Sequence, residues 1–217
     1  SSSAGIDQFG GWHNSVSTVD INNDGYIDLY ICRGGFKNVN RSNRNLLFIN
    51  NKNNTFTEQA VSYGIADEGY SIASSFFDYD NDGNEDLFVS PFSNEGSPAT
   101  MWMKSHGDNF DHTFLPTLNH NTGNGQFEEV GKSMGLNEVC FSMGSNFGDI
   151  NSDGFLDFYL GTGNPLYQSI VPNKMYLNVD GRKFEDVSFS GGVANIQKGH
   201  GVSFGDWNHD GDEDIFA

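Results

Sequence analysis

Short runs of aromatic, aliphatic and β-branched residues recur along this chain, separated by clusters of Gly, Asn, Asp and Ser. DLYIC (28–32), DLFVS (86–90), DFYLG (157–161) and the terminal DIFA (214–217) read as strands. A strand is also expected just before each, at Ser15–Val19, Ile72–Phe77, Met143–Gly148 and Gly201–Gly205. Downstream lies a third apolar segment, Asn45-Leu-Leu-Phe-Ile-Asn50, matched by Asn173-Lys-Met-Tyr-Leu-Asn178. A fourth carries a phenylalanine: Thr55-Phe-Thr-Glu, Gln126-Phe-Glu-Glu and Lys183-Phe-Glu-Asp. Eight residues after Phe56, Phe127 and Phe184 comes a glycine (Gly64, Gly135, Gly192), followed by Ile65, Leu136 or Val193. The N-terminus carries the same tail, Gly5-Ile6.

The chain is therefore a repeat of four-strand units. Antiparallel units of this size arranged radially make a β-propeller, so the predicted fold is all-β. The segmentation is 1–6 as the tail of a preceding blade, then blades at 15–65, 72–136 and 143–193, and the start of a further blade at 201–217. This covers about three and a half blades in one propeller segment. A seven-bladed ring would need roughly 400 residues. The chain is thus expected to continue into further blades or a larger assembly. A calcium β-solenoid would need Gly-Gly-x-Gly nonapeptides, which are missing.

Composition agrees with strands. There are only 7 Ala and 11 Leu against 27 Gly and 26 Asn, and the apolar volume comes from 19 Phe and 8 Tyr. No run of 18 apolar residues exists, so no membrane insertion is expected. A formal charge of −18 argues against nucleic acid as a partner. Two cysteines, Cys32 and Cys140, are too few for a disulfide scaffold, and both are expected on strands as buried thiols.

The acid is concentrated. Four windows share the pattern D-x-(D/N)-x-D-G-x-x-D: 20–28, 78–86, 149–157 and 206–214. They lie between strands one and two of each unit, at spacings of 58, 71 and 57 residues. Positions 1, 3, 5 and 9 hold thirteen aspartates plus Asn22, Asn151 and Asn208. Carboxylates so crowded repel one another, which raises their pKa values in an empty loop. A hard divalent cation relieves that, and calcium accepts 6–8 oxygens at about 2.3–2.6 Å. The glycine at position 6 permits the turn that lets position 7 offer its carbonyl. Four such ions would take the formal charge from −18 to −10. An EF-hand is excluded, because position 12 is Ile31, Val89, Leu160 or Ala217 and strands follow. The bland alternative is a set of metal-free acidic turns.

These residues resemble a known group. The loops preceded by Phe147-Gly148-Asp149 and Phe204-Gly205-Asp206 are similar to FG-GAP/VCBS repeats, the calcium blades of integrin α-subunit propellers. More narrowly, residues 173–178 together with Lys198-Gly-His-Gly-Val-Ser-Phe-Gly-Asp206 resemble the repeat region of ASPIC/UnbV-type (cartilage acidic protein-like) proteins. The first two units carry Thr18-Val19 and Phe76-Phe77 in place of Phe-Gly. The resemblance implies up to four Ca²⁺ ions. Their side-chain ligands would be Asp20, Asn22, Asp24 and Asp28; Asp78, Asp80, Asp82 and Asp86; Asp149, Asn151, Asp153 and Asp157; and Asp206, Asn208, Asp210 and Asp214. Tyr26, Asn84, Phe155 and Asp212 would add carbonyls.

In a four-stranded blade the metal loops share one face with the strand three-to-four turns. The opposite face carries loops 33–44, 90–115 and 162–172, where a protein or glycan ligand is expected. The middle loop holds Trp102, which would either stack on a partner or fold back over its blade, and His106 and His112. The first holds Arg33, Lys37, Arg41 and Arg44, as a solvated turn or an anion contact. None of the six histidines shows zinc-motif spacing, and no nucleophile elbow or phosphate loop occurs. His200 is expected to pack rather than catalyse. Asn40-Arg-Ser and Asn53-Asn-Thr are glycosylation sequons, meaningful only in a eukaryotic secretory pathway.

The leading expectation is a non-catalytic calcium-binding adhesion or binding module that is secreted, periplasmic or on a cell surface. Extracellular calcium modules bind at about 10⁻⁴–10⁻³ M and fill only outside cells. Alternatives are a lyase-like polysaccharide enzyme, with a base drawn from Arg33, Lys37, His106 or His112, and a scaffold subunit of a larger assembly.

Overall fold

The computed structural model describes residues 2–7, 9–34, 44–91, 115–162 and 171–217. Its strands run β1 His13–Val19, β2 Asp28–Arg33, β3 Leu46–Asn50, β4 Phe56–Glu58, β5 Ser71–Phe77, β6 Asp86–Pro91, β7 Thr117–Asn121, β8 Phe127–Glu129, β9 Ser142–Gly148, β10 Asp157–Thr162, β11 Lys174–Val179, β12 Lys183–Asp186, β13 Ser203–Gly205 and β14 Asp214–Phe216. They form three four-stranded antiparallel sheets in sequential order, β1 to β4, β5 to β8 and β9 to β12, and a β13–β14 pair. This is a nearly all-β, blade-based, propeller-like fold. The described residues also hold two helical turns that the strand pattern did not predict, a 3-10 turn at Ser2–Ala4 and α1 Ala60–Tyr63, the latter closed by Gly64 at φ 81°.

Register repeats from sheet to sheet. Asn50 faces Phe56, Asn121 faces Phe127, and Asn178 faces Phe184. Middle strands β6 and β10 are buried along their whole length, because each sheet is covered on both faces by its neighbours or its own turns. Two cores result. One joins sheets one and two through Tyr30, Leu47, Ile65 and Leu87, and the other joins sheets two and three through Phe88, Phe158, Tyr176 and Phe184. The second is aromatic: Phe158 stacks on Tyr176 at 4.8 Å and meets Phe184 edge-on at 4.9 Å. Burying such a side chain contributes about 1.5–3 kcal/mol.

The first strands β1, β5, β9 and β13 approach one another closely, which explains their small polar composition. Ser17 Oγ donates to Ser74 O at 2.7 Å, Ser75 and Ser145 hydroxyls meet at 3.3 Å, and Asn146 Nδ2 donates to Val202 O at 3.0 Å. The glycine and phenylalanine markers are coupled by contact. A Cβ on Gly135 would lie 2.6 Å from Phe184 O, and Phe184 N–H donates to Met134 O at 2.7 Å. Gly64 stands in the same relation to Phe127, and Gly5 to Phe56. Each sheet's fourth strand thus seats on the turn glycine of the unit before it.

Cys32 and Cys140 are both free and buried. Cys32 lies on β2, but Cys140 precedes β9 rather than lying on a strand. Its Sγ sits 3.7 Å from the Tyr176 hydroxyl.

Candidate metal centres

Each acidic window forms the same backbone cage. The position-1 carboxylate grips two amides: Asp20 accepts from Asp24 N–H at 2.9 Å and Gly25 N–H at 2.7 Å. Asp78, Asp149 and Asp206 repeat this on Asp82 and Gly83, Asp153 and Gly154, and Asp210 and Gly211. Asn22, Asp80, Asn151 and Asn208 at position 3 accept from the position-5 amide. Asp24, Asp82, Asp153 and Asp210 at position 5 accept from the amides of Tyr26, Asn84, Phe155 and Asp212. Short Asx side chains favour such local bonds, so the loop folds itself.

The turn needs two left-handed residues. One is the glycine at position 6, with φ 85–97° across the four loops. The other, at position 4, was not foreseen: Asn23, Asn81, Ser152 and His209 have φ 54–62°. Three of the four are Asn or His, types enriched there.

Position 9 ties the loop to its sheet. Asp28, Asp86 and Asp157 are buried. One oxygen of each accepts from the position-2 amide (Ile21, Tyr79, Ile150). The other accepts at 2.7 Å from the amide ending strand three, Asn50, Asn121 or Asn178. Asp214 has the Trp207 contact and is half-buried.

Electrostatic strain falls mainly on position 9, and crowding is not its chief cause. Burial pushes Asp86 up to about 7 and Asp157 up to about 6, while the amide bonds pull down and neighbouring aspartates add a smaller upward push. Asp28 and Asp80 rise for the same first reason. Asp24 moves down instead: desolvation opposes, but the Lys52 ammonium and the Tyr26 amide outweigh it. Asp210 is lowered by the Asp212 amide and Asn208.

A carboxylate has about four acceptor sites, so two amide bonds leave capacity for a cation. In the second loop Asp78, Asp80 and Asp82 present oxygens within 4.8 Å of one another, an all-oxygen set suited to a hard dication. All four loops share the hydrogen-bonded cage, but among the described residues only the second gathers three carboxylates this closely, and there Asp86 stands with Asp80 rather than with Asp78 and Asp82. In a second group, Asp80, Asp86 and His120, the ligand atoms likewise lie within 4.8 Å of one another. Motif spacing missed His120. Register shows why it belongs: Leu87 pairs with Asn119, which sets His120 opposite Asp86. The matching positions in sheets one and three are Ile49 and Leu177, so a histidine in an aliphatic slot was the available signal.

The strand three-to-four turns adjoin the loops, as expected of a shared face. Lys52 Nζ lies 3.2 Å from Asp24 Oδ2, and a Cβ on Gly181 would fall 2.9 Å from Asp80 Cα. Loops also touch each other, with Asn81 Nδ2 donating to Gly154 O at 2.9 Å.

The opposite face is corrected in part. Arg33 is neither a solvated turn residue nor an anion contact. It is buried, and its guanidinium donates to Gly10 O and Arg44 O. Arg44 pairs with Glu58 at 3.4 Å. His200 is exposed rather than packed. Lys37, Arg41, Asn40, Trp102, His106 and His112 lie outside the described residues, as do most of loops 33–44, 90–115 and 162–172.

Residues 20–89 match the family model of the FG-GAP-like repeat. The match covers 70 of the 217 residues and supports an FG-GAP-like repeat in that segment. It runs from the first aspartate of the first loop through the second loop into β6, so an FG-GAP-like unit spans the contact between two sheets. Curated proteins yield no match.

Proposed function

We propose that this chain is a calcium-stabilised propeller module of the FG-GAP/VCBS type, nearest the ASPIC/UnbV-like group, acting outside cells as a non-catalytic adhesion or binding unit. Supporting this is one observation above all: four loops repeat one carboxylate cage, and in three the ninth residue is a buried aspartate already hydrogen-bonded to two amides. A buried carboxylate without a counter-charge is costly, and calcium supplies that charge together with the remaining coordination. The metal's role is structural, clamping strand two to the loop and to the end of strand three. The binding surface for a protein or glycan is assigned to the face away from the acidic loops.

Calcium titration by calorimetry tests this. Up to four sites are expected, weak enough to fill at about 10⁻⁴–10⁻³ M. Asp24→Asn and Asp153→Asn should each delete one site. Absence of binding heat at millimolar calcium overturns the calcium reading. Incubation with acidic polysaccharides should yield no unsaturated products; their appearance would overturn the non-catalytic assignment.

A further inference from the structure

The second loop differs from its siblings in having a nitrogen donor at its buried end. His120 Nδ1 lies 3.2 Å from Asp86 Oδ1 and 3.5 Å from Asp80 Oδ2. That nitrogen is shielded from solvent, yet no hydrogen bond reaches it. Its two close oxygens are therefore near but wrongly aligned for hydrogen bonding. Two donors bonded to one tetrahedral ion at about 2.0–2.1 Å stand about 3.3 Å apart. The observed separations bracket that value. The imidazole is also braced: its ring meets Tyr79 edge-on at 5.8 Å, and Tyr79 N–H donates to Asp86. Asp86 is fixed by two amides, and Asp80 belongs to both donor groups of this loop.

We propose that Asp80, Asp86 and His120 form a mixed nitrogen–oxygen site that takes a first-row transition dication of the zinc type in preference to calcium. Calcium is a hard ion that selects oxygen, whereas imidazole suits zinc and its neighbours. Two carboxylates and one neutral imidazole give three protein ligands and leave a position for water. The first and third loops, with Ile49 and Leu177 in the equivalent place, have no such donor and remain oxygen sites. The inference rests on the second loop being a metal site, as proposed above, but not on calcium filling the other three.

The test is zinc titration by calorimetry on the intact chain with calcium in excess, alongside His120→Leu, which borrows the side chain found at position 177. One zinc equivalent is expected to bind the parent protein. His120→Leu should weaken it at least about tenfold, the scale on which even outer-shell partners act. Calcium binding at the other loops should be unchanged. Asp80→Asn should also weaken zinc. A zinc affinity indifferent to His120→Leu, or calcium displacing zinc without hindrance, overturns the proposal. Should His120→Leu fail to fold, pulsed EPR of the copper-loaded parent and of His120→Gln decides instead. Imidazole nitrogen coupling that the variant loses supports the site, and identical spectra refute it. If calcium fills no loop but zinc binding still needs His120, the calcium reading falls and this one stands.

Discussion

The first and second acidic loops carry the same nine-residue pattern and the same amide cage, yet their surroundings treat them oppositely. At the first, Lys52 reaches from the β3–β4 turn to within 3.2 Å of Asp24 and lies over the Tyr26 ring at 5.2 Å. At the second, the equivalent hairpin brings His120 against Asp80 and Asp86, and burial drives Asp86 up to about 7. A flexible exposed cation sits at the rim of one loop, while the other sets a histidine against its buried aspartate; burial raises the ninth residue in both. The local motif thus sets the cage, and a residue more than twenty positions downstream sets its electrostatics.

The sharpest way to break the comparison is to remove metal from both loops. At about 1 mM calcium and a dissociation constant of about 10⁻⁴ M, each filled site adds about 1.4 kcal/mol. Chelation should therefore lower the melting temperature markedly, and an unchanged melt would show that the cages stand without ions. Next in size is the buried anchor. Asp86→Ala strands the Tyr79 and Asn121 amides, each worth about 1–3 kcal/mol when left unpaired. It should lose about 2–5 kcal/mol in denaturant unfolding, whereas Asp214→Ala, with one such amide and half exposed, should lose less than half as much. Equal losses would refute the anchoring role.

Acid gives a smaller shift with a definite sign. Asp86 and Asp157 have folded-state pKa values of about 7 and about 6, above the ordinary 3.8, so the folded state holds their protons more tightly. Their contribution is complete below about pH 4 and is lost as pH rises through 6 and 7. Metal-free protein should melt higher at pH 5 than at pH 8, and Asp86→Asn should flatten that slope. With saturating calcium the slope should reverse, because the ion requires ionised ligands. Smallest is Lys52→Ala. The pair is exposed and screened by solvent, so metal-free stability should barely move. Calcium affinity at the first loop should nonetheless rise once the competing ammonium is gone, as titration of the variant would reveal.

Much was legible in the chain itself. The repeat of loop, strand and phenylalanine markers located the strands of the first and third sheets to within a few residues, and those of the second except β7, which had no marker, because each marker has a mechanical job. Phe184 seats on the Gly135 turn, and Asn178 Nδ2 donates to Tyr79 O across sheets at 2.7 Å. Arg33 misled because a basic residue near a loop reads as exposed, while its carbonyl partners at positions 10 and 44 are far away in sequence. His120 escaped because zinc motifs are recognised by short spacings, and its partners lie 34 and 40 residues earlier.

What the sequence determined alone is the shape of each acidic bend. Its bonds join side chains to amides two to five residues onward, and such contacts need no partner strand. Tertiary structure decided which carboxylate loses water and what stands beside it. Burial of Asp86 and the arrival of His120 both follow from β7 pairing with β6 in one register, and the field in a buried corner depends on every element that closes over it.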